Sequence, residues 1–257
     1  MSAPPKQRLT RKEKRLLRQG ENLEEHRRAQ DRINFSLDKI TPLTDNQRKT
    51  FQSYDEGKNL MLVGTAGTGK SFLSIYLGMR DIMEKKTHDR MVIIRSVVPT
   101  RDMGFLPGSN KEKSKVYEAP YYAIFGELFD RGDAYDYLKN RNVVEFMTTS
   151  FVRGITVNDS IIIVDEFQNM NSSELHSVFT RIGKNCRVVF AGDVKQNDLR
   201  VQRQDASGFR DFFRVMDKMK SFNVIEFTRD DIVRSDLVRE YVIAREDLEE
   251  RGLIGVL

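Results

Sequence analysis

Tryptophan is absent from these 257 residues, histidine occurs three times and cysteine once. The lone Cys186 excludes an intramolecular disulfide, and a reducing cytoplasm is the expected compartment. His26, His88 and His176 stand far apart without cysteine companions, so the spacing of a zinc site is missing. No apolar run approaches the roughly 20 residues of a membrane span, and the first residues lack the apolar stretch of a secretory signal. No membrane partner is expected.

Charge of one sign is scarce over most of the chain. Lys and Arg number 43 against 38 Asp and Glu, a net charge of +5. Through Phe35 there are ten basic residues, among them Lys6, Arg8, Arg11 and Arg28, against five acids, so the whole excess lies in the first 35 residues. Residues 1–35 therefore read as a basic N-terminal arm, helical or poorly ordered, and 36–257 as the folded domain. Phosphate neutralisation by Lys and Arg makes a nucleic-acid-binding arm one reading. A solubilising extension is the other.

The chain does hold a glycine-rich stretch, Gly64-Thr65-Ala66-Gly67-Thr68-Gly69-Lys70-Ser71, directly after the apolar run Leu60-Met61-Leu62-Val63. Helical spacing follows in Phe72–Met83. Strand, loop and helix in that order cradle a nucleoside triphosphate: the glycines turn backbone N–H groups toward the phosphates and the helix adds the positive end of its dipole. Lys70 is expected on the β and γ phosphates, and Ser71 on Mg²⁺, a hard cation that takes oxygen ligands.

Apolar or β-branched runs recur at Met91–Ile94, Val143–Met147, Ile161–Val164, Val188–Ala191 and Val224–Phe227. Helical patterns at Ala119–Phe129, Ser172–Ile182, Phe209–Met219 and Asp236–Leu248 separate several of them. The alternation predicts an α/β fold: one P-loop NTPase domain with a mostly parallel sheet flanked by helices.

Ile161-Ile162-Ile163-Val164-Asp165-Glu166 is a buried strand ending in two acids, which a parallel sheet would place in the same crevice as the phosphate loop. Asp165 can hold Mg²⁺ through its waters, and Glu166 can orient and deprotonate the water that attacks the γ phosphate. After the next strand, Gly192-Asp193-Val194-Lys195-Gln196 offers Gln196 as a γ-phosphate sensor. Gln47, shortly before the loop, could read the edges of adenine. The Asn-Lys-x-Asp guanine motif and the Leu-Ser-Gly-Gly-Gln transporter signature are both missing.

From Thr44 to about Glu250 the chain resembles the PhoH-like proteins, P-loop ATPases similar to the first motor domain of superfamily 1 helicases. The resemblance rests on Thr44-Asp45-Asn46-Gln47, the phosphate loop, Gly104-Phe105-Leu106-Pro107-Gly108, Arg153-Gly154, Asp165-Glu166-Phe167-Gln168-Asn169, Thr180-Arg181-Ile182-Gly183, Gly192 to Gln196 and Asp231-Ile232-Val233-Arg234. It implies a RecA-like fold, ATP and Mg²⁺ as cofactors, ATP hydrolysis, coupling to RNA, and homo-oligomeric rings, expected as hexamers. The chain departs from the family's pattern at Ser96, Ser109, Phe167 and Ser235-Asp236. Some relatives carry a fused nuclease domain of the PIN type, for which no room is expected here.

A superfamily 1 helicase closes two such domains on one ATP, whereas Gln47 to Arg234 fit one. Arg229 and Arg234 are therefore candidates for an arginine finger reaching the site of a neighbouring copy, with Arg234 preferred. Arg95, Arg101, Lys111, Lys113 and Lys115 lie near Tyr117, Tyr121 and Tyr122, and Phe151 lies near Arg153, mixtures of phosphate ligands and stacking surfaces suited to single-stranded RNA or DNA. The leading expectation is ATP hydrolysis coupled to binding, unwinding or remodelling of single-stranded nucleic acid. The alternative is an ATP-gated adaptor that recruits a nuclease or other partner without unwinding.

Overall fold

Each apolar run becomes a strand, and all six join one sheet. A computed structural model of the chain describes residues 35–96, 110–193 and 205–255, with backbone alone for 110–115 and 205–210. The elements in chain order are α1 (Asp45–Asp55), β1 (Asn59–Gly64), α2 (Lys70–Met83), β2 (Arg90–Arg95), α3 (Asn110–Phe129), α4 (Ala134–Asn140), β3 (Val144–Thr148) and α5 (Thr149–Val152). There follow β4 (Ser160–Asp165), α6 (Ser172–Phe179), β5 (Cys186–Gly192), α7 (Asp205–Lys218), β6 (Phe222–Phe227) and α8 (Asp236–Glu250).

The strand order is β3-β2-β4-β5-β1-β6 and every pairing is parallel. Parallel pairing requires crossovers, and helices on both faces bury the strands on both sides. Side chains alternate accordingly. Leu60, Leu62, Met91, Ile93, Ile161 and Ile163 pack with Leu73, Leu77, Tyr121 and Phe125 on one face. Met61, Val63, Val92, Ile94, Ile162 and Val164 pack with Val152, Leu175 and Val178 on the other. Helix α2 lies so close to the sheet that a Cβ on Gly78 would stand 2.5 Å from the Met91 Cε atom.

A shared strand direction brings the loops after β1, β4, β5 and β6 to one edge of the sheet. That is the edge where ligands bind in open parallel sheets. Among the described residues no helix is long and apolar enough to cross a membrane.

Candidate active site

The phosphate loop leaves β1 through Gly64, whose φ is +116° and whose Cβ, if it had one, would lie 1.9 Å from the Phe227 carbonyl oxygen. Only glycine allows this approach. Thr65 then donates its N–H to that same carbonyl at 3.1 Å, and Val233 donates to the Gly67 carbonyl at 3.1 Å. The loop is thus clamped by the chain that follows β6. At its far end Gly69, in the left-handed region, precedes α2 with no side-chain cap, which leaves the first-turn N–H groups of α2 for an anion.

Lys70 is buried, and its ammonium donates to the carbonyls of Gly64 at 2.8 Å and Thr65 at 2.7 Å. Burial lowers its pKa, against the opposing pull of Asp193, Glu166 and Asp165. Ser71 donates its hydroxyl to Asp165 Oδ1 at 2.6 Å, across 94 residues of sequence. Two hard oxygen donors meet here beside the loop, and Mg²⁺ needs no more from a protein when phosphates and waters complete its octahedron. Among the described residues no cluster of three or more His, Cys, Asp or Glu side chains forms a metal cage. The site fits a magnesium ion that arrives with a nucleotide.

Glu166 leaves β4 with φ 50° and ψ 41°, a left-handed conformation that turns its side chain away from the strand direction. Burial raises its pKa, the neighbouring Asp165 charge raises it further, and Gln168, Arg95 and Lys70 pull the other way. Gln168, itself buried, donates its amide to Glu166 and accepts the Asp193 N–H on its carbonyl oxygen at 3.0 Å. A Cβ on Gly192 would meet that same oxygen at 2.3 Å. One amide therefore connects Glu166 to Asp193, the residue after β5.

Gln47 is buried, accepts the Leu43 N–H at 2.8 Å and donates to the Thr68 carbonyl at 3.2 Å. It reaches the rim of the phosphate loop from α1. Its neighbours Thr44 and Asn46 donate to the two oxygens of Asp231, which also accepts the Thr228 N–H at 2.9 Å. Burial would raise the Asp231 pKa, but these hydrogen bonds hold it below the usual carboxylate range. The two motifs Thr44–Gln47 and Asp231–Arg234 form one strut beneath the loop.

The phosphate loop and both acids open on one cavity of about 600 Å³. Gln47, Ala66 to Ser71, Arg95, Asp165, Glu166, Asp193 and Arg234 line it, with Ile40, Leu43, Phe72, Pro120 and Ile124 as the apolar wall. Arg234 lies over its own chain's loop, where a Cβ on Gly67 would stand 3.1 Å from the Arg234 Cγ atom. The Arg234 side chain thus borders the phosphate loop of its own chain. Arg229 is not at the site. It is held by Asp247 at 2.6 Å, Glu250 at 3.2 Å and Glu246 at 3.6 Å on α8.

The candidates for nucleic acid divide. Arg95 ends β2 in register with Asp165 and lines the cavity. Tyr121 is fully buried and cannot stack on a base. Arg153 and Phe151 are exposed after β3. Lys111 and Lys113 lie on α3, with side chains outside the described atoms, and Arg101 and Gln196 lie outside the described residues, as does the arm before Phe35. Sequence reasoning missed Gln168 and the pair Thr65–Glu246, in which the Thr65 hydroxyl donates to the buried Glu246 carboxylate of α8 at 2.9 Å. A glutamine two residues after the acids was the only local signal.

The family model described as PhoH-like protein matches residues 39–246. A PhoH-like protein of Mycobacterium bovis is 32% identical over 214 residues, covering 83% of this chain and 60% of its own length. One from Bacillus subtilis is 28% identical over 203 residues, covering 78% and 62%. The chain thus spans about three fifths of the length of these relatives. Among solved structures, the Hef helicase domain of Pyrococcus furiosus overlaps 71% of this chain and 38% of its own at 10% identity and a TM-score of 0.44. Bacteroides Pif1 bound to single-stranded DNA overlaps 82% and 49% at 16% identity and a TM-score of 0.34. With a family match spanning the loop, both acids and the strut beneath them, the chain belongs to the PhoH-like proteins.

Proposed function

We propose that this chain binds ATP with magnesium, hydrolyses it, and couples the hydrolysis to single-stranded nucleic acid. The observation that carries the reading is the meeting of Ser71 and Asp165 at 2.6 Å beside a buried Lys70, with Glu166 as the next residue. Magnesium, when bound with the nucleotide, supplies charge neutralisation between the β and γ phosphates. Backbone N–H groups of Gly67 to Ser71 bind the phosphates, and Lys70 exchanges its loop carbonyls for phosphate oxygens. Ser71 and Asp165 hold the metal, Asp165 through water.

Glu166 orients the attacking water and takes its proton. Its raised pKa brings the carboxylate nearer the range in which it accepts a proton efficiently. Gln196 senses the γ phosphate through the loop that Gln168 ties to Glu166, and Arg234 stabilises the transferred phosphoryl group in cis. Gln47 braces the loop and presents its amide where an adenine edge can reach it.

Single-stranded RNA or DNA, contacted by Arg153, Lys111, Lys113 and Arg101, is the proposed partner, and assembly into a hexameric ring belongs to the same proposal. Support comes from the family and from the exposure of Phe151 beside Arg153. The test is ATP turnover with and without single-stranded RNA or DNA, together with strand separation. Stimulated turnover with strand separation is expected. Slow, unstimulated turnover with ATP-dependent capture of another protein contradicts the coupled reading in favour of an adaptor.

A further inference from the structure

Tyr121 stands on α3 next to Pro120, which lines the nucleotide cavity, and it is fully buried. A buried phenol of this size usually fills space and finds any convenient backbone acceptor. This one donates to a carboxylate: Tyr121 Oη lies 2.9 Å from Asp165 Oδ2, while Asp165 Oδ1 accepts from Ser71. The Arg95 guanidinium and the Tyr121 phenol also act on one another electrostatically. Two hydroxyls thus hold the two oxygens of Asp165 at the end of β4, one from α3 and one from the start of α2. The ring cannot swing out of this line, because Phe146 and Tyr135 flank it with centroids at 5.9 and 6.3 Å.

The register explains why a hydroxyl is needed there. Arg95 pairs with Asp165 across β2 and β4, so without an intervening group the guanidinium could close on the carboxylate directly. A bidentate arginine would occupy both oxygens and neutralise the charge that attracts a cation. With the phenol between them, Asp165 keeps its full charge and one oxygen turned to Ser71.

We propose that Tyr121 is a positioning residue for the metal: its hydroxyl fixes the Asp165 carboxylate toward Ser71 and so sets how strongly magnesium tightens nucleotide binding. The inference rests on the proposed nucleotide site. It assigns the tightness of the metal step to α3, an element that contributes no ligand of its own.

The experiment measures the affinity of the full chain for a fluorescent adenosine diphosphate, with magnesium and with chelator, so that the readout is the ratio of the two constants and not turnover. Tyr121→Phe keeps the ring and removes the hydroxyl. The expected result is an unchanged affinity in chelator and a magnesium gain reduced about ten-fold, the scale of one hydrogen bond to a charged group. Arg95→Leu, which removes the positive charge acting on the phenol, is expected to reduce the gain less, in the same direction. A full magnesium gain in Tyr121→Phe overturns the proposal, as does equal weakening with and without magnesium. Should that variant not fold, a full gain in Arg95→Leu overturns it. Wild-type protein without any magnesium gain defeats the nucleotide reading itself, a separate outcome.

Discussion

The carbonyl oxygen of Gln168 accepts the Asp193 N–H at 3.0 Å while its amide donates to Glu166, so one side chain spans the base and the loop after β5. The bond to Asp193 is buried and the one to Glu166 partly so, and a buried amide that loses a partner is costly. The pairing ties the Glu166 carboxylate to the backbone at Asp193 through one side chain.

Replacing Gln168 by Leu keeps the volume and removes both bonds. Turnover of ATP is expected to fall by about 10- to 100-fold with the nucleotide KM changed less than about three-fold, the pattern of an interaction needed only in the transition state. Steady-state kinetics on the purified variant check this. An increase in KM with kcat intact would place Gln168 in binding instead.

Glu166 gives a pH-dependent outcome. Its folded pKa is raised, so the carboxylate form is penalised by the fold: the cost to stability is fully present above the folded pKa and disappears as pH falls below the unfolded one. Glu166→Gln is therefore expected to raise the Tm at pH 8. The gain should shrink toward zero as pH falls toward the ordinary glutamate pKa of about 4.3, where the native side chain becomes neutral as well. Melting curves of both proteins across that range decide it, and a difference that does not vary with pH contradicts the assignment.

The Thr65 hydroxyl donates to Glu246 at 2.9 Å and fastens the C-terminal helix to the phosphate loop. Glu246→Ala leaves a buried hydroxyl without this acceptor and is expected to cost about 1–3 kcal/mol of stability. Glu246→Gln keeps an acceptor and should recover most of it. Urea unfolding of the three proteins distinguishes a bond from mere packing.

Gly64→Ala tests the close approach of β1 to β6. The added methyl would stand 1.9 Å from the Phe227 carbonyl oxygen, at a φ of +116° that alanine rarely adopts. A loss of about 3 kcal/mol or more is expected, since clash and backbone strain add. A Tm within a degree or two of wild type would contradict the geometry.

The strands and the loop chemistry were legible because each is local. A run of four apolar residues ending in Gly64 or in Asp165-Glu166 names both the strand and the side chains at its end. Helix α4 was missed, since seven residues carry too little periodicity. Partners across long stretches of sequence were hidden for a different reason. Nothing near Tyr121 announces Asp165, nothing near Thr65 announces Glu246, and Asp231 gives no sign of Thr44 and Asn46 until α1 packs beneath β6.

Arg95 and Arg234 show the same limit. The sequence places each at or after the end of a strand without saying which way its side chain faces. The register of β2 on β4 and the clamp of Val233 on Gly67 turn both toward the nucleotide cavity of their own chain.

The central claim is that Glu166 acts on a magnesium-bound ATP held by Lys70, Ser71 and Asp165. Its most direct test is phosphate release from ATP by wild-type protein and by Glu166→Gln, with ATP binding measured on both. The account predicts magnesium-dependent release by wild type, and a variant that binds ATP within about three-fold of wild type while releasing phosphate at least about 100-fold more slowly. Wild-type rates in Glu166→Gln, or wild-type protein that binds no ATP, would contradict it.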